Sequence, residues 1–300
     1  MSIAFVFPGQ GSQYVGMGRD LYEQVPEARA LFDSADRILG VPFHQICFEG
    51  PEEELRQTKN TQPAIFLHSI AAATRLKESP AMVAGHSLGE YSALVHAKAL
   101  SFEDALHLVR LRGELMQQAG TDHPGTMAAV VGLDPQTVEA LCAEASASGV
   151  AQAANFNSPG QIVISGSVAG VHAAMELAKA RGARLVKELP VSGAFHSPLM
   201  ESARTGLKQA LDAVRIHDAV VPVYANVTAR PVRAAAEIRD LLVRQLTSPV
   251  RWEETVVNMA ADGAATFVEI GPGKVLQGLI KRTVPTVSVR GVDKAADLAA

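Results

Sequence analysis

Two textures of apolar residues alternate along this chain: short unbroken runs, and longer stretches in which apolar residues return every third or fourth position. The first texture marks strands buried on both faces, and the second marks helices packed along one side. "IAFVF" near the start is such a run. It stops abruptly at "PGQGSQ", as a central strand does on entering a loop. "AMVAGHS" predicts a second buried strand. Helical spacing predicts helices from Pro26 to Leu39 and from Pro63 to Lys77, with Pro63 in the first turn, where its missing N–H costs nothing. A further helix covers "SFEDALHLVRLRGELMQQAG", which Ser101 can cap, with Asp104 three residues on, and which Gly120 can stop.

From Gly125 the pattern changes. "TMAAVVGL" reads as a strand, "DPQTVEALCAEASA" as a helix opened by Asp134 and Pro135, and "VAQAANF" and "QIVISG" as strands joined by "NSPG". A helix, "VAGVHAAMELAKARG", and a strand, "ARLVKELPV", complete the series β-α-β-β-α-β, the order of a ferredoxin-like unit. Afterwards "VVPVYANV", "TFVEIGPG" and "TVSVRG" alternate with helices from Pro198, through "AAEIRDLLVRQL" and "WEETVVNMAADG", and from Lys274. The expected fold class is therefore α/β: an α/β-hydrolase-like core with a parallel sheet, built from residues 1–123 and 191–300, into which a ferredoxin-like subdomain at residues 124–190 is inserted.

Composition narrows the classes. With 300 residues, 48% hydrophobic and 19% charged, the chain can bury a full α/β core plus a smaller unit. No stretch approaches the roughly 20 apolar residues of a membrane span, and the N-terminus has no basic leader, so a cytoplasmic protein away from membranes is expected. A net charge of −4 excludes a globally basic nucleic-acid binder. Cys47 and Cys142 lack metal-type spacing and are expected as buried thiols.

The candidate chemistry centres on "VAGHSLGEYSA". Gly85, Ser87 and Gly89 form a G-x-S-x-G pentapeptide, weak by itself but flanked here by the strand and helix that a nucleophile elbow requires. The competing reading is a serine capping a helix beside two packing glycines. The helix start directs the backbone N–H of Leu88 toward the space above Ser87, where an oxyanion can form. A serine hydroxyl needs a base. His86 is adjacent, but neighbouring side chains diverge at such a turn, and His68, His96, His107 and His172 lie in helical patterns. His196, in "VSGAFHSPLM", sits in a loop after a strand and before a helix start, where catalytic residues concentrate.

The helix from Ser101 adds an independent signal. At 100° per residue Ala105, Leu108, Val109, Leu115 and Met116 form one apolar face, and Arg112 falls in its middle while Arg110 points elsewhere. An inward arginine requires an anion, and its forked donors suit a carboxylate. Either an internal Asp or Glu meets it, or it snorkels, or it selects an acyl group bearing a free carboxylate.

"FPGQGSQ", "GHSLGEYSAL", "RGELMQ", "NFNSPGQIVISG", "FHSPLM", "RQLTSPVRW" and "EIGPGKVL" occur in one order across nearly the whole chain. In this the sequence resembles malonyl-CoA:acyl carrier protein transacylases. The resemblance implies that Ser87 takes the malonyl group as an ester, with His196 as general base and then acid, and that Arg112 holds the malonyl carboxylate. It implies an oxyanion hole from the N–H groups of Gln10 and Leu88, and a main-chain carbonyl, that of Gln245, orienting His196 in place of an aspartate. Met116 and Phe195 are assigned to substrate binding; Phe195 before the histidine resembles the malonyl-selecting form of acyltransferase domains. The implied partners are malonyl-CoA and an acyl carrier protein whose phosphopantetheine is the acceptor, with the enzyme itself a monomer holding no cofactor or metal. Lys274, Lys281 and Arg282 are candidates for a basic patch facing an acidic carrier. Rival readings are a serine hydrolase or thioesterase passing the acyl group to water, a non-catalytic docking subunit, and the malonyl transferase component of a malonate decarboxylase.

Overall fold

The computed structural model describes residues 2–191 and 193–299. Among these residues ten strands make two sheets. They are β1 (Ser2–Phe7), β2 (Met82–Gly85), β3 (Gly125–Val131), β4 (Ala151–Ser158), β5 (Gln161–Ser167), β6 (Leu185–Glu188), β7 (Val223–Tyr224), β8 (Pro231–Val232), β9 (Ala264–Ile270) and β10 (Ser288–Val292). The larger sheet runs β10-β9-β1-β2-β7-β8. Its first five strands are parallel, and β8 closes the edge antiparallel to β7. The smaller sheet, β4-β5-β3-β6, is wholly antiparallel and carries the helices Pro135–Ala145 and Val168–Ala180.

β1 is interior, as its unbroken apolar run predicts. Phe5 and Phe7 enter the cluster packed beneath the helices on one face, while Ala4 and Val6 enter the cluster on the other. Alternate residues of one strand thus serve two cores, so no polar position is available between them. A third cluster, including Val130, Leu141, Ile162 and Val171, belongs to the smaller sheet and its helices. Main-chain bonds tie the two units together: Phe156 N–H donates to Val250 O at 2.9 Å and Val250 N–H to Ala154 O at 2.8 Å.

Several elements depart from expectation. Pro63 lies inside its helix, Thr58–Ala73, not in the first turn. The carbonyl that proline leaves unserved four residues back, Lys59 O, instead accepts from Arg110 Nη1 at 3.1 Å on the neighbouring helix. Gly113 permits that approach, because a Cβ there would lie 2.8 Å from Lys59 Cα. The segment from Pro198 begins with a short 3-10 turn, Pro198–Met200, before the α-helix Glu201–Ala213. β6 and β7 are much shorter than "ARLVKELPV" and "VVPVYANV", and the short helices Arg19–Gln24, Phe43–Glu49 and Glu52–Arg56 have no counterpart in the predicted pattern. The Phe102–Asp122 helix keeps its expected cap, Ser101 accepting from Asp104 N, and runs two residues past Gly120. Cys47 and Cys142 are buried and free.

Candidate active site

β2 delivers the chain to a tight turn and the Gly89–His96 helix carries it away. A Cβ on Gly85 would lie 1.8 Å from Gly89 C, and one on Gly89 would lie 2.0 Å from Phe7 O. Both glycines are therefore required by backbone packed on backbone. Between them Ser87 adopts φ 51°, a left-handed conformation that costs a non-glycine residue about 1 kcal/mol or more. Asn226 holds the turn from both sides: Ser87 N–H donates to its Oδ1 at 2.7 Å, and its Nδ2 donates to Gly85 O at 2.6 Å.

His196 also has a left-handed backbone, φ 57°, in a loop steadied by Gln152 Nε2 donating to His196 O at 2.6 Å. Its Nε2 lies 2.8 Å from Ser87 Oγ. Its Nδ1 faces two carbonyl oxygens, Gln245 O at 2.9 Å and Ser248 O at 3.2 Å. Carbonyls only accept, so the proton resides on Nδ1 and Nε2 is left as acceptor for the serine hydroxyl. No carboxylate touches this imidazole among the described residues. Burial, followed by the nearby Arg112 charge, depresses the His196 pKa from its ordinary value to about 3, with the Gln245 carbonyl pulling the other way. The ring is neutral and able to accept a proton at neutral pH.

Arg112 is fully buried. Nη1 donates to Gln62 Oε1 at 2.6 Å, and Nη2 donates to Gln245 Oε1 at 3.0 Å and to Ser87 Oγ at 3.1 Å. Nε has no partner, and the guanidinium lies 5.8 Å from the centre of the Tyr91 ring. The acceptors are neutral amides and a hydroxyl, so the internal Asp or Glu pair allowed by the sequence is not what meets this arginine. It does not snorkel either.

The cleft over Ser87 is lined among others by Gln10, His86, Met116, Phe195 and His196. Met127 and Val163 of the smaller sheet supply part of its far wall. The N–H groups of Gln10 and Leu88 find no acceptor among the described residues. Met116 Sδ accepts from Gln62 Nε2 at 3.3 Å, which aligns the amide that holds Arg112. His86 diverges from Ser87 and its Nε2 pairs with Asn157 Oδ1 at 2.9 Å. Of the residues named from the sequence, Gln10, Ser87, Met116, Phe195 and His196 line this cleft, Arg112 and Gln245 reach it by hydrogen bonds to Ser87 and His196, and Leu88 follows Ser87 in the turn, whereas of the basic residues Lys274 begins the Val275–Thr283 helix and Arg282 donates to Gln161 Oε1 at 2.7 Å.

Sequence reasoning missed Gln62, Asn226, Ser248 and Glu90. Glu90 is 3% exposed, and its Oε2 accepts from Asn226 N–H at 3.0 Å and from Gln245 Nε2 at 2.9 Å. Burial raises its pKa to about 7. One available signal was a charged residue set among the buried apolar residues of "GEYSAL".

Known proteins match this chain along its whole length. The family model described as acyl transferase domain matches residues 4–297. The malonyl CoA-acyl carrier protein transacylase of Bacillus subtilis is 51% identical over 294 residues, covering 96% of this chain and 93% of the relative. The protein of the same name from Escherichia coli K12 is 43% identical, covering 99% and 97%. Among solved structures, an acyl carrier protein S-malonyltransferase from Vibrio cholerae superposes with a TM-score of 0.96 at 43% identity, covering 100% of this chain and 99% of that one. A malonyl-transacylase in complex with a type II PKS acyl-carrier protein gives 0.96 at 41% identity, covering 100% and 98%. With agreement of this breadth, the chain belongs to the acyl transferase domain family and, within it, to the malonyl CoA-acyl carrier protein transacylases.

Proposed function

We propose that this protein moves the malonyl group from malonyl-CoA to the phosphopantetheine thiol of an acyl carrier protein by way of a malonyl ester on Ser87. The observation that carries this reading is a buried arginine, held by neutral acceptors only, within hydrogen-bond distance of a serine paired to a neutral histidine. Such an arginine favours an acyl group that brings its own carboxylate.

Ser87 Oγ attacks the thioester carbonyl as His196 Nε2 takes its proton, and the N–H groups of Gln10 and Leu88 receive the developing oxyanion. The C–S bond breaks and the proton passes from His196 to the CoA sulfur. In the second half the carrier thiol gives its proton to His196, attacks the ester, and Ser87 leaves with that proton. The carbonyls of Gln245 and Ser248 fix the tautomer without supplying full negative charge. That suffices here, because a thiolate with a pKa of about 8.5 leaves far more readily than an amine. The chemistry asks for no metal or resident cofactor. Met116 and Phe195 shape the acyl pocket.

In this reading the larger sheet is an α/β-hydrolase-like core formed by residues 1–123 and 191–300, and residues 124–190 form a ferredoxin-like unit, supported by its β-α-β-β-α-β order and antiparallel sheet. A single copy acts on its two partners in the cytoplasm. The malonate-decarboxylase alternative shares this chemistry, so the test is the acceptor. Malonyl-CoA supplied with a phosphopantetheinylated fatty-acid-synthesis carrier transfers malonyl mass to that carrier. Release of free malonate at the same rate with or without carrier overturns the reading in favour of hydrolysis.

A further inference from the structure

Glu90 is a buried carboxylate to which the proposed chemistry gives no task. Its Oε2 accepts from Gln245 Nε2 at 2.9 Å, and the other end of that amide, Oε1, accepts from Arg112 Nη2 at 3.0 Å. Glu90 therefore meets Arg112 across a single amide and not directly. Asn226 N–H holds the same Oε2, and Oε1 receives no hydrogen bond from the described residues. The titratable groups around it are Arg112 from the Phe102–Asp122 helix, Tyr91 from its own helix, His196 from the loop before Pro198, and His86 from the turn after β2. Burial keeps the Tyr91 phenol protonated and both imidazoles neutral, and Asn226 and Gln245 carry no charge. Arg112 is left as the site's standing charge, and Glu90, ionised above about pH 7, as the one carboxyl group able to answer it.

We infer that Glu90 is the resident counter-charge of Arg112, and that a carboxylate arriving on the acyl group takes over this role, so that loading is coupled to proton uptake by Glu90. This rests on the transfer reading above. Two carboxylates sharing one guanidinium in a buried site repel, and one of them gives up its charge. The acyl carboxylate touches the guanidinium directly, whereas Glu90 does so through an amide. Burial has already brought Glu90 to about 7, so a modest further rise neutralises it at neutral pH. The free Oε1 is the place for the proton, which comes from solvent; the serine proton still leaves on the CoA sulfur. Glu90 is a positioning residue and touches no reacting atom.

The test uses the intact protein from about pH 6 to about pH 8, measuring KM for malonyl-CoA and the inhibition constant of acetyl-CoA, with the mass of Ser87 read in the same samples. A one-unit rise of the Glu90 pKa on loading makes malonyl-CoA bind about fivefold more weakly at pH 8 than at pH 6, while acetyl-CoA, with identical phosphates and no carboxylate, shows no matching change. In Glu90→Gln, which keeps an acceptor oxygen and loses the charge, the malonyl dependence disappears. An equal pH response for both esters, or an unchanged response in Glu90→Gln, overturns the coupling. Should that variant fail to fold, the comparison of the two esters on the wild-type protein decides alone. Malonylated Ser87 without the differential pH response sinks the coupling and leaves transfer standing; no malonylated Ser87 sinks the transfer reading itself.

Discussion

Arg112 Nη2 lies 3.1 Å from Ser87 Oγ, so the residue proposed to read the acyl group's charge and the residue proposed to receive that group are hydrogen-bonded neighbours. In that reading selection and chemistry are joined at a single point. A malonyl group short enough to place its carbonyl at Ser87 has its carboxylate within reach of the guanidinium fork. Arg112→Ala is expected to lower kcat/KM for malonyl-CoA by about 10²-fold, matching the loss of roughly 3 kcal/mol of charge-assisted hydrogen bonding. The rate with acetyl-CoA falls far less, so the ratio of the two esters measures the arginine's role.

The kcat profile isolates His196. In the proposed mechanism its base form is the working one, so activity should fall as pH drops through its pKa in the loaded complex. A malonyl carboxylate cancels the Arg112 charge that helps depress this pKa, but burial, the larger cause, persists. The acid limb of kcat is therefore expected below the ordinary imidazole value of about 6.5, with a plateau extending through it. Steady-state rates at saturating malonyl-CoA across this range check the prediction, and a midpoint at or above the ordinary value would contradict the burial argument.

Asn226 is the clamp on the elbow. Asn226→Ala leaves Ser87 N–H without its acceptor and Gly85 O without its donor, at an expected cost of about 2–4 kcal/mol in urea unfolding. Activity should drop as well, because the left-handed Ser87 backbone loses the bond that holds it. Gly89→Ala is expected to be worse, with a Cβ 2.0 Å from Phe7 O forcing the central strand to move.

Arg110 serves the site from outside. It repairs the hydrogen-bond gap that Pro63 opens in the Thr58–Ala73 helix, one residue away from Gln62, which holds Arg112. Arg110→Ala should cost about 1 kcal/mol of stability and raise KM for malonyl-CoA severalfold with little change in kcat. Arg110→Lys, which retains one donor, should recover part of both.

How far the sequence discloses this site depends on where each residue's partner lies. The G-x-S-x-G elbow is legible because the motif and its flanking strand and helix lie in one short stretch, with Gly85 answering to Gly89 four residues on, although Gly89 itself answers to the distant Phe7. Arg112 is legible because helical phase alone places it within an apolar stripe. Pro63 misleads: a proline normally opens a helix, and here its missing donor is replaced by Arg110, some 50 positions along the chain. Gln62 and Asn226 are silent for the same reason, since each acquires its role from a segment that only the folded chain brings near, and Glu90 shows only as a charge among apolar neighbours, with its partners hidden. The brevity of β6 and β7 is likewise a tertiary outcome, because an apolar run shows burial and not the length over which a neighbouring strand pairs with it.

The most direct measurement is the covalent state of Ser87 after exposure to malonyl-CoA without any acceptor. Peptide mass spectrometry of the trapped protein should place one malonyl group on the peptide carrying Ser87. The group should be absent in Ser87→Ala and removed when a carrier thiol is added. Modification elsewhere, or free malonate accumulating while Ser87 stays unmodified and no acceptor is present, would contradict the account.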